Sequence, residues 1–359
     1  MTAAVRFFKD VMKKGSSSGK RRGWIDYARG IAIILVVYRH VMVGLESSGM
    51  TSNDVVYYIQ EGIYNIRMPL FFVLSGIFIH KSLKRRGLGD FALYKVDTIL
   101  YPYLVWAFIH LSMQIASLEY TNTPKSFNYY INILIAPRAL DQFWFLYTLF
   151  FTVMLYATCV AILKFSKWHL LALALMMYAA AYYYPTRYLA LEDILFYFMF
   201  LVMGSILSEV FLNSDNSRKL FSGWAILALG LLTIASQWYW LSNYTGLVKF
   251  TDLEGLDRYL FVPMAILGCI FIFQLSYLLD KLNLFGLLKV IGSHSLYIYV
   301  MHLMVAGGSR ALLMTLWPEI SFSLAFTIIV LLSVFLPILL YKLSMKINMK
   351  FLYEFPAFV

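Results

Sequence analysis

The chain has 359 residues; 61% are hydrophobic, 14% are charged, and the mean hydropathy is +0.71. A soluble domain carries about a quarter of its residues as charges, so this composition excludes a water-soluble globule and implies a polytopic membrane protein. The 30 Lys and Arg outnumber the 19 Asp and Glu, an excess that in such a protein marks cytoplasmic loops rather than nucleic-acid binding.

Residues 1–23 form a basic arm, with Arg6, Lys9, Lys13, Lys14, Lys20, Arg21 and Arg22 around a Gly-Ser run. The arm has neither the apolar core nor the small-residue cleavage site of a signal peptide. A short amphipathic surface helix over Val5 to Met12 and a flexible linker are expected there, and Trp24 anchors the first span at the interface. From Trp24 onward the apolar runs predict an all-α protein of about ten membrane spans, at 24–43, 62–80, 92–117, 142–163, 168–184, 192–211, 221–241, 258–279, 286–306 and 321–341. Each is near the ~20 residues that a bilayer requires. The expected division is the arm, a transmembrane domain over 24–345 and a cytoplasmic tail over 346–359. With the N-terminus inside, 21 Lys and Arg fall on the cytoplasmic side and seven on the outer side, namely Arg67, Lys125, Arg138, Arg187, Lys249, Arg258 and Arg310. That bias places both termini in the cytoplasm. Cys159 and Cys269 lie in apolar segments and predict no disulfide.

The first span, WIDYARGIAIILVVYRHVMV, carries Asp26, Arg29, Arg39 and His40. Ionisable groups are costly in hydrocarbon unless they face protein or water, so they mark function. His40 is eleven positions beyond Arg29, nearly three whole turns, so both lie on one face ~16 Å apart along the axis. Asp26 lies one turn below Arg29 on that face, and Arg39 points elsewhere. Counted from the cytoplasmic end, His40 stands ~24 Å up the helix, in the outer half of the bilayer. On the ninth span His302 reaches the same depth, with Ser295 and Tyr299 on or near its face. Two histidines at one level predict a polar pocket; the alternative is a His302 that hydrogen-bonds a backbone carbonyl.

Arg29, ten residues and His40 on a first helix that starts near Asp26 resemble the acyltransferase-3 family of integral membrane sugar O-acyltransferases. The stretch Met68-Pro-Leu-Phe-Phe-Val-Leu-Ser-Gly76 is similar to that family's second helix, especially in its fucose 4-O-acetylase-like branch. Phe143-Trp-Phe-Leu146 and the run from Ile291 to His302 resemble its middle and late signatures, so the resemblance runs from about Trp24 to the C-terminus. Some relatives continue into an extracytoplasmic hydrolase-like domain; none is expected here.

The resemblance implies transfer of an acyl group, acetyl above all, from cytoplasmic acetyl-CoA to a hydroxyl of a cell-surface polysaccharide or lipid-linked glycan, in the bacterial inner membrane. O-acylation needs a base for the hydroxyl proton and donors for the oxyanion. Histidine suits the first task at neutral pH, which makes His40 either the general base or a nucleophile that carries the acyl group transiently. Arg29 keeps its proton, so with Asp26 it binds or orients. The donor side falls on Lys81, Lys84, Arg85, Arg86 and Lys95, cations suited to the phosphates of coenzyme A and equally to positive-inside topology. Relatives often show Arg-x-x-Arg before the Tyr-Pro-Tyr of Tyr101–Tyr103; here Lys95-Val-Asp-Thr98 lacks the second arginine.

On the acceptor side stand Arg67, Asp141, Tyr299 and His302. Arg67 occupies a position where fucose-type relatives commonly have His; it either holds an acidic sugar or pairs with Glu61. Asp141 orients a histidine or a sugar hydroxyl, or lies exposed. His110 reads as structural, His80 and His169 as interfacial, and His294 as facing the donor path. No metal-ligand spacing, phosphate-binding Gly loop or Ser-His-Asp arrangement is present, so no metal and no nucleic acid are expected. A second copy of the chain and glycan-assembly proteins remain open as partners beside the bilayer. Two other classes compete: a proton-coupled transporter of a small solute, which also buries ionisable groups, and a non-catalytic glycan-assembly subunit.

Overall fold

The computed structural model describes residues 23–116, 125–184, 186, 188–213, 219–244, 246 and 250–356. The basic arm, with its expected surface helix, lies outside them apart from Gly23. The described residues are helical and contain no strand. Nine helices among them are long and apolar enough to cross a membrane: Gly23–Glu46, Tyr64–Arg86, Leu88–Ala116, Asp141–Ala161, Tyr188–Leu212, Gly223–Asn243, Asp257–Lys281, Ser295–Leu316 and Phe322–Lys346. Their outward side chains are apolar as well. Trp224, Leu231, Ile234 and Trp238 of the helix Gly223–Asn243 are all exposed, a surface suited to lipid rather than water.

The span expected at 168–184 is a helix of the same length, the 17 residues Lys167–Tyr183. At 1.5 Å per residue it rises ~26 Å, a little short of a ~30 Å hydrocarbon core. Ser166 caps its start by accepting the His169 N–H. The span expected at 286–306 is two helices, Gly286–Ser293 and Ser295–Leu316, with His294 between them at φ −109° and ψ 13°. The ring of His294 is buried, and its Nδ1 lies 2.8 Å from the Val290 carbonyl. A side chain bonded to the backbone of the preceding turn offers the chain an alternative to continuing the helix.

The chain forms two compact units. The first holds the described residues of 23–67 and 270–350. Its centre is α1 (Gly23–Glu46), packed against α2 (Gly286–Ser293), α3 (Ser295–Leu316) and α4 (Phe322–Lys346). Two glycines let α1 and α2 touch backbone to backbone. A Cβ on Gly292 would lie 1.7 Å from the Asp26 carbonyl oxygen, and one on Gly30 would lie 2.3 Å from that of Leu288. Close approach at small residues is how helices associate where no hydrophobic drive separates protein from lipid. At the two ends of α1, Tyr27 Oη donates to the Leu284 carbonyl at 2.7 Å and Arg310 Nη1 donates to the Gly44 carbonyl at 2.6 Å.

The second unit holds the described residues of 68–116, 125–269 and 351–356. Gly76, the last residue of the Met68–Gly76 stretch, has a packing role: its Cβ would meet the Leu201 oxygen at 2.1 Å, and one on Gly204 would meet the Val73 oxygen at 2.2 Å. Phe72 stacks on Tyr197 beside this crossing, centroids 4.6 Å apart. In the helix Leu88–Ala116 the turn Val96–Leu100 is widened, and the Tyr101 N–H reaches back to the Val96 carbonyl. The extra residue falls just before Pro102, whose ring would otherwise crowd the carbonyl one turn back. The tail segment of this unit is held on the same helix. Trp106 Nε1 donates to the Leu352 carbonyl at 2.8 Å, and the Phe355 N–H donates to Asp97 Oδ1 at 2.7 Å.

Candidate active site

Within the first unit the rings of His40 and His302 lie side by side, 5.2 Å between centroids. The apolar run between Arg29 and His40 keeps α1 unbroken, so the helical spacing of the sequence survives as real geometry. His302 is fully buried. Its Nδ1 sits 2.7 Å from the Tyr299 carbonyl and 3.2 Å from that of Ile298. A carbonyl accepts only, so Nδ1 carries the proton, and in the neutral ring Nε2 bears the lone pair. Tyr299 is buried on the same helix, its ring 5.9 Å from that of His302. His40 itself is half-buried. The arrangement therefore combines an anchored histidine with a partly accessible one, which is what proton transfer to a bound group requires.

Asp26 is buried in the first turn of α1, where the helix dipole favours a carboxylate, and Arg29 is half-exposed one turn on. The rise of the helix keeps Arg29 ~16 Å from His40, beyond joint contact with one small group. Arg67 is buried; its Nη1 donates to Gln60 Oε1 at 2.8 Å, and its guanidinium lies 6.0 Å from the Tyr64 ring.

In the second unit Lys81, Lys84 and Arg85 are exposed at the end of Tyr64–Arg86. Arg86 lies over the Tyr94 ring at 4.0 Å, and Lys95 Nζ is 5.4 Å from both the Tyr94 and Phe91 rings. The turn at Gly87, with φ +75°, brings the two helices close enough for this cluster. Cations at a helix C-terminus are also favoured by its dipole, so the fold accommodates the loop without a ligand.

Asp141 takes up a polar cluster that the sequence reading does not assemble. Its Oδ2 accepts from Gln114 Nε2 at 2.9 Å and from Lys125 Nζ at 3.0 Å, and lies 3.6 Å from His110 Nε2. His110 was expected to be structural and Lys125 only a loop cation. His110 and Gln114 lie one turn apart on the helix Leu88–Ala116, but Lys125 and Asp141 sit on other segments, so spacing alone does not assemble the cluster. Among the described residues no group of three His, Cys, Asp or Glu is placed to hold a metal ion.

Nine long apolar helices among the described residues, one of them carrying Asp26, Arg29, Arg39 and His40, define a polytopic membrane protein. The chain belongs to the acyltransferase-3 family, whose sequence profile, described as an acyltransferase domain, matches residues 22–342. One similar protein is nodulation protein NolL of Sinorhizobium fredii (strain NBRC 101917 / NGR234), 25% identical over 246 residues that cover 66% of this chain and 63% of that protein. The matched part thus spans less than two thirds of that relative's length. No solved structure is significantly similar to the chain.

Proposed function

We propose that the protein is an integral membrane O-acyltransferase that moves an acetyl group from cytoplasmic acetyl-CoA to a hydroxyl of a surface or lipid-linked glycan, in the bacterial inner membrane. The observation that carries this reading is the pairing of His302 with His40, whose helix also holds Asp26 and Arg29, within a chain of the acyltransferase-3 family. The glycan acceptor and the fucose 4-O-acetylase-like branch rest on the resemblance of the Met68–Gly76 stretch.

In this mechanism His40 accepts the proton of the acceptor hydroxyl as its oxygen attacks the thioester carbon. The C–O bond forms, the C–S bond breaks, and the proton passes from His40 to the departing thiolate. His302, anchored through Nδ1, supports the neighbouring ring. A transient acyl-His40 divides the same transfer into two steps with the same net balance. Arg29 and Asp26 orient the donor, and Lys81, Lys84, Arg85, Arg86 and Lys95 attract its phosphates. Arg67, Asp141 and Tyr299 serve the acceptor.

The test is paired. Purified protein is given acetyl-CoA with and without glycan extract, and thiol release is followed; surface glycans from cells with and without the protein are compared by mass spectrometry. Acceptor-dependent thiol release together with protein-dependent acetyl groups is expected. Glycans whose acetyl groups are the same with and without the protein, together with no thiol release, would overturn the proposal.

A further inference from the structure

The Asp141 cluster has more polar capacity than its protein partners use. All three of its neighbours approach one oxygen, Oδ2. The Asp141 side chain is 32% exposed, whereas those of His110 and Lys125 are 7% and 4% exposed. The carboxylate is thus the part of the cluster that looks outward, and Oδ1 is its open acceptor. Behind it two buried polar groups are unmatched. Among the described residues neither ring nitrogen of His110 makes a hydrogen bond, and Gln114 Oε1 has no partner. His110 is 5% exposed and on the helix Leu88–Ala116, with its ring 5.5 Å from that of Phe143. Buried polar groups in native proteins are ordinarily satisfied, and an unsatisfied one needs a partner supplied from outside the chain or a functional reason.

Charge narrows the class of that partner. Lys125 already neutralises Asp141 at 3.0 Å and also donates to the Ala139 carbonyl at 2.9 Å. A phosphate would find its cation taken, and an ammonium group its carboxylate taken. The unused capacity is acceptor-rich and overall neutral, and it lies against aromatic rings: Phe143 beside His110, and Tyr129 5.9 Å from Lys125 Nζ. Neutral hydroxyls with apolar C–H faces suit this combination.

We infer that Asp141, His110 and Gln114, with Lys125 behind them, form a binding site for the hydroxyls of a neutral sugar ring. This deepens the proposed function by assigning a sugar subsite to the second unit, and it rests on that reading only for the sugar's identity as acceptor. Sugar hydroxyls donate to Asp141 Oδ1 and Gln114 Oε1, and His110 supplies a hydrogen bond from its unmatched edge.

The test reads binding rather than turnover. Thermal unfolding of the purified full chain is followed in methyl glycosides of glucose, galactose, mannose and N-acetylglucosamine. At least one is expected to stabilise the native protein and His40→Ala alike. Its dissociation constant is expected to rise ~10-fold or more in Asp141→Asn, as for loss of a hydrogen bond to a charged group. Asparagine keeps the backbone conformation but leaves Lys125 buried without its counter-charge. Gln114→Met, which spares the Asp141–Lys125 pair, is therefore the second variant, with weaker sugar binding and an unchanged melting temperature in sugar-free buffer. Protection that is equal in the native protein and Gln114→Met, or absent with all four sugars, overturns the site. Thiol release from acetyl-CoA is scored separately, so a protein that binds sugar but releases no thiol defeats the transferase reading and leaves the sugar site standing.

Discussion

The ring of His302 stands 5.2 Å from that of His40, centroid to centroid, and is held there by its own helix through Nδ1 and the Tyr299 carbonyl. A fully buried histidine with one nitrogen committed to the backbone can orient a neighbour but has little freedom of its own. His302→Phe, which keeps a ring and discards both nitrogens, is expected to lower the turnover number by ~10-fold or more and leave the Michaelis constant for acetyl-CoA within about twofold. Equal loss in both constants would make His302 a packing residue only.

The α1–α2 crossing fixes the Asp26 end of the same helix. Gly292→Ala would place a methyl group 1.7 Å from the Asp26 carbonyl oxygen, an overlap that only a shift of one helix relieves. A destabilisation of ~1–3 kcal/mol is expected, read as a fall in melting temperature in detergent, together with lost activity. Gly286→Ala, where a Cβ meets nothing within 4 Å, serves as the control and should melt close to the native protein.

Lys84 and Arg85 are exposed, and Arg86 packs over Tyr94, so their charges can be removed without opening a core. Replacing all three with Gln is expected to raise the Michaelis constant for acetyl-CoA ~10-fold while turnover at saturating donor stays near normal, as for a phosphate contact remote from the thioester. An unchanged Michaelis constant would leave these cations as topology signals.

Topology turns on one short helix. With Lys167–Tyr183 as a tenth crossing the two termini share a side; with only the nine longer helices they do not. The cation bias favours ten crossings. A reporter fused after Val359 should be cytoplasmic when one fused before Gly23 is cytoplasmic. Reporters on opposite sides would take Lys167–Tyr183 out of the membrane.

Most of the helical architecture was legible because it depends on local composition: long apolar runs make spans wherever they occur. The Arg29–His40 face was legible for a related reason, since a continuous helix converts spacing into geometry. Three features were not. The break at His294 depends on its side chain bonding to Val290, in a stretch whose composition is as apolar as an unbroken span. In the Asp141 cluster only His110 and Gln114 share a helix face; Lys125 and Asp141 come from segments that folding brings to it. The buried hydrogen bond from Arg67 to Gln60 joins the helices Asp54–Gly62 and Tyr64–Arg86, and spacing along the chain does not single out that partner.

The most direct measurement is the acetyl-transfer rate of His40→Ala in membranes that hold equal amounts of native and variant protein. A positioned general base contributes ~10²-fold or more, so the variant should lose at least that factor and should still bind acetyl-CoA. His40→Gln should be as inactive, because glutamine forms hydrogen bonds but cannot carry the proton, whereas Arg29→Lys, which keeps the charge, should retain part of the rate. Near-native turnover in His40→Ala would contradict the assignment of His40 as the residue that moves the proton or carries the acyl group.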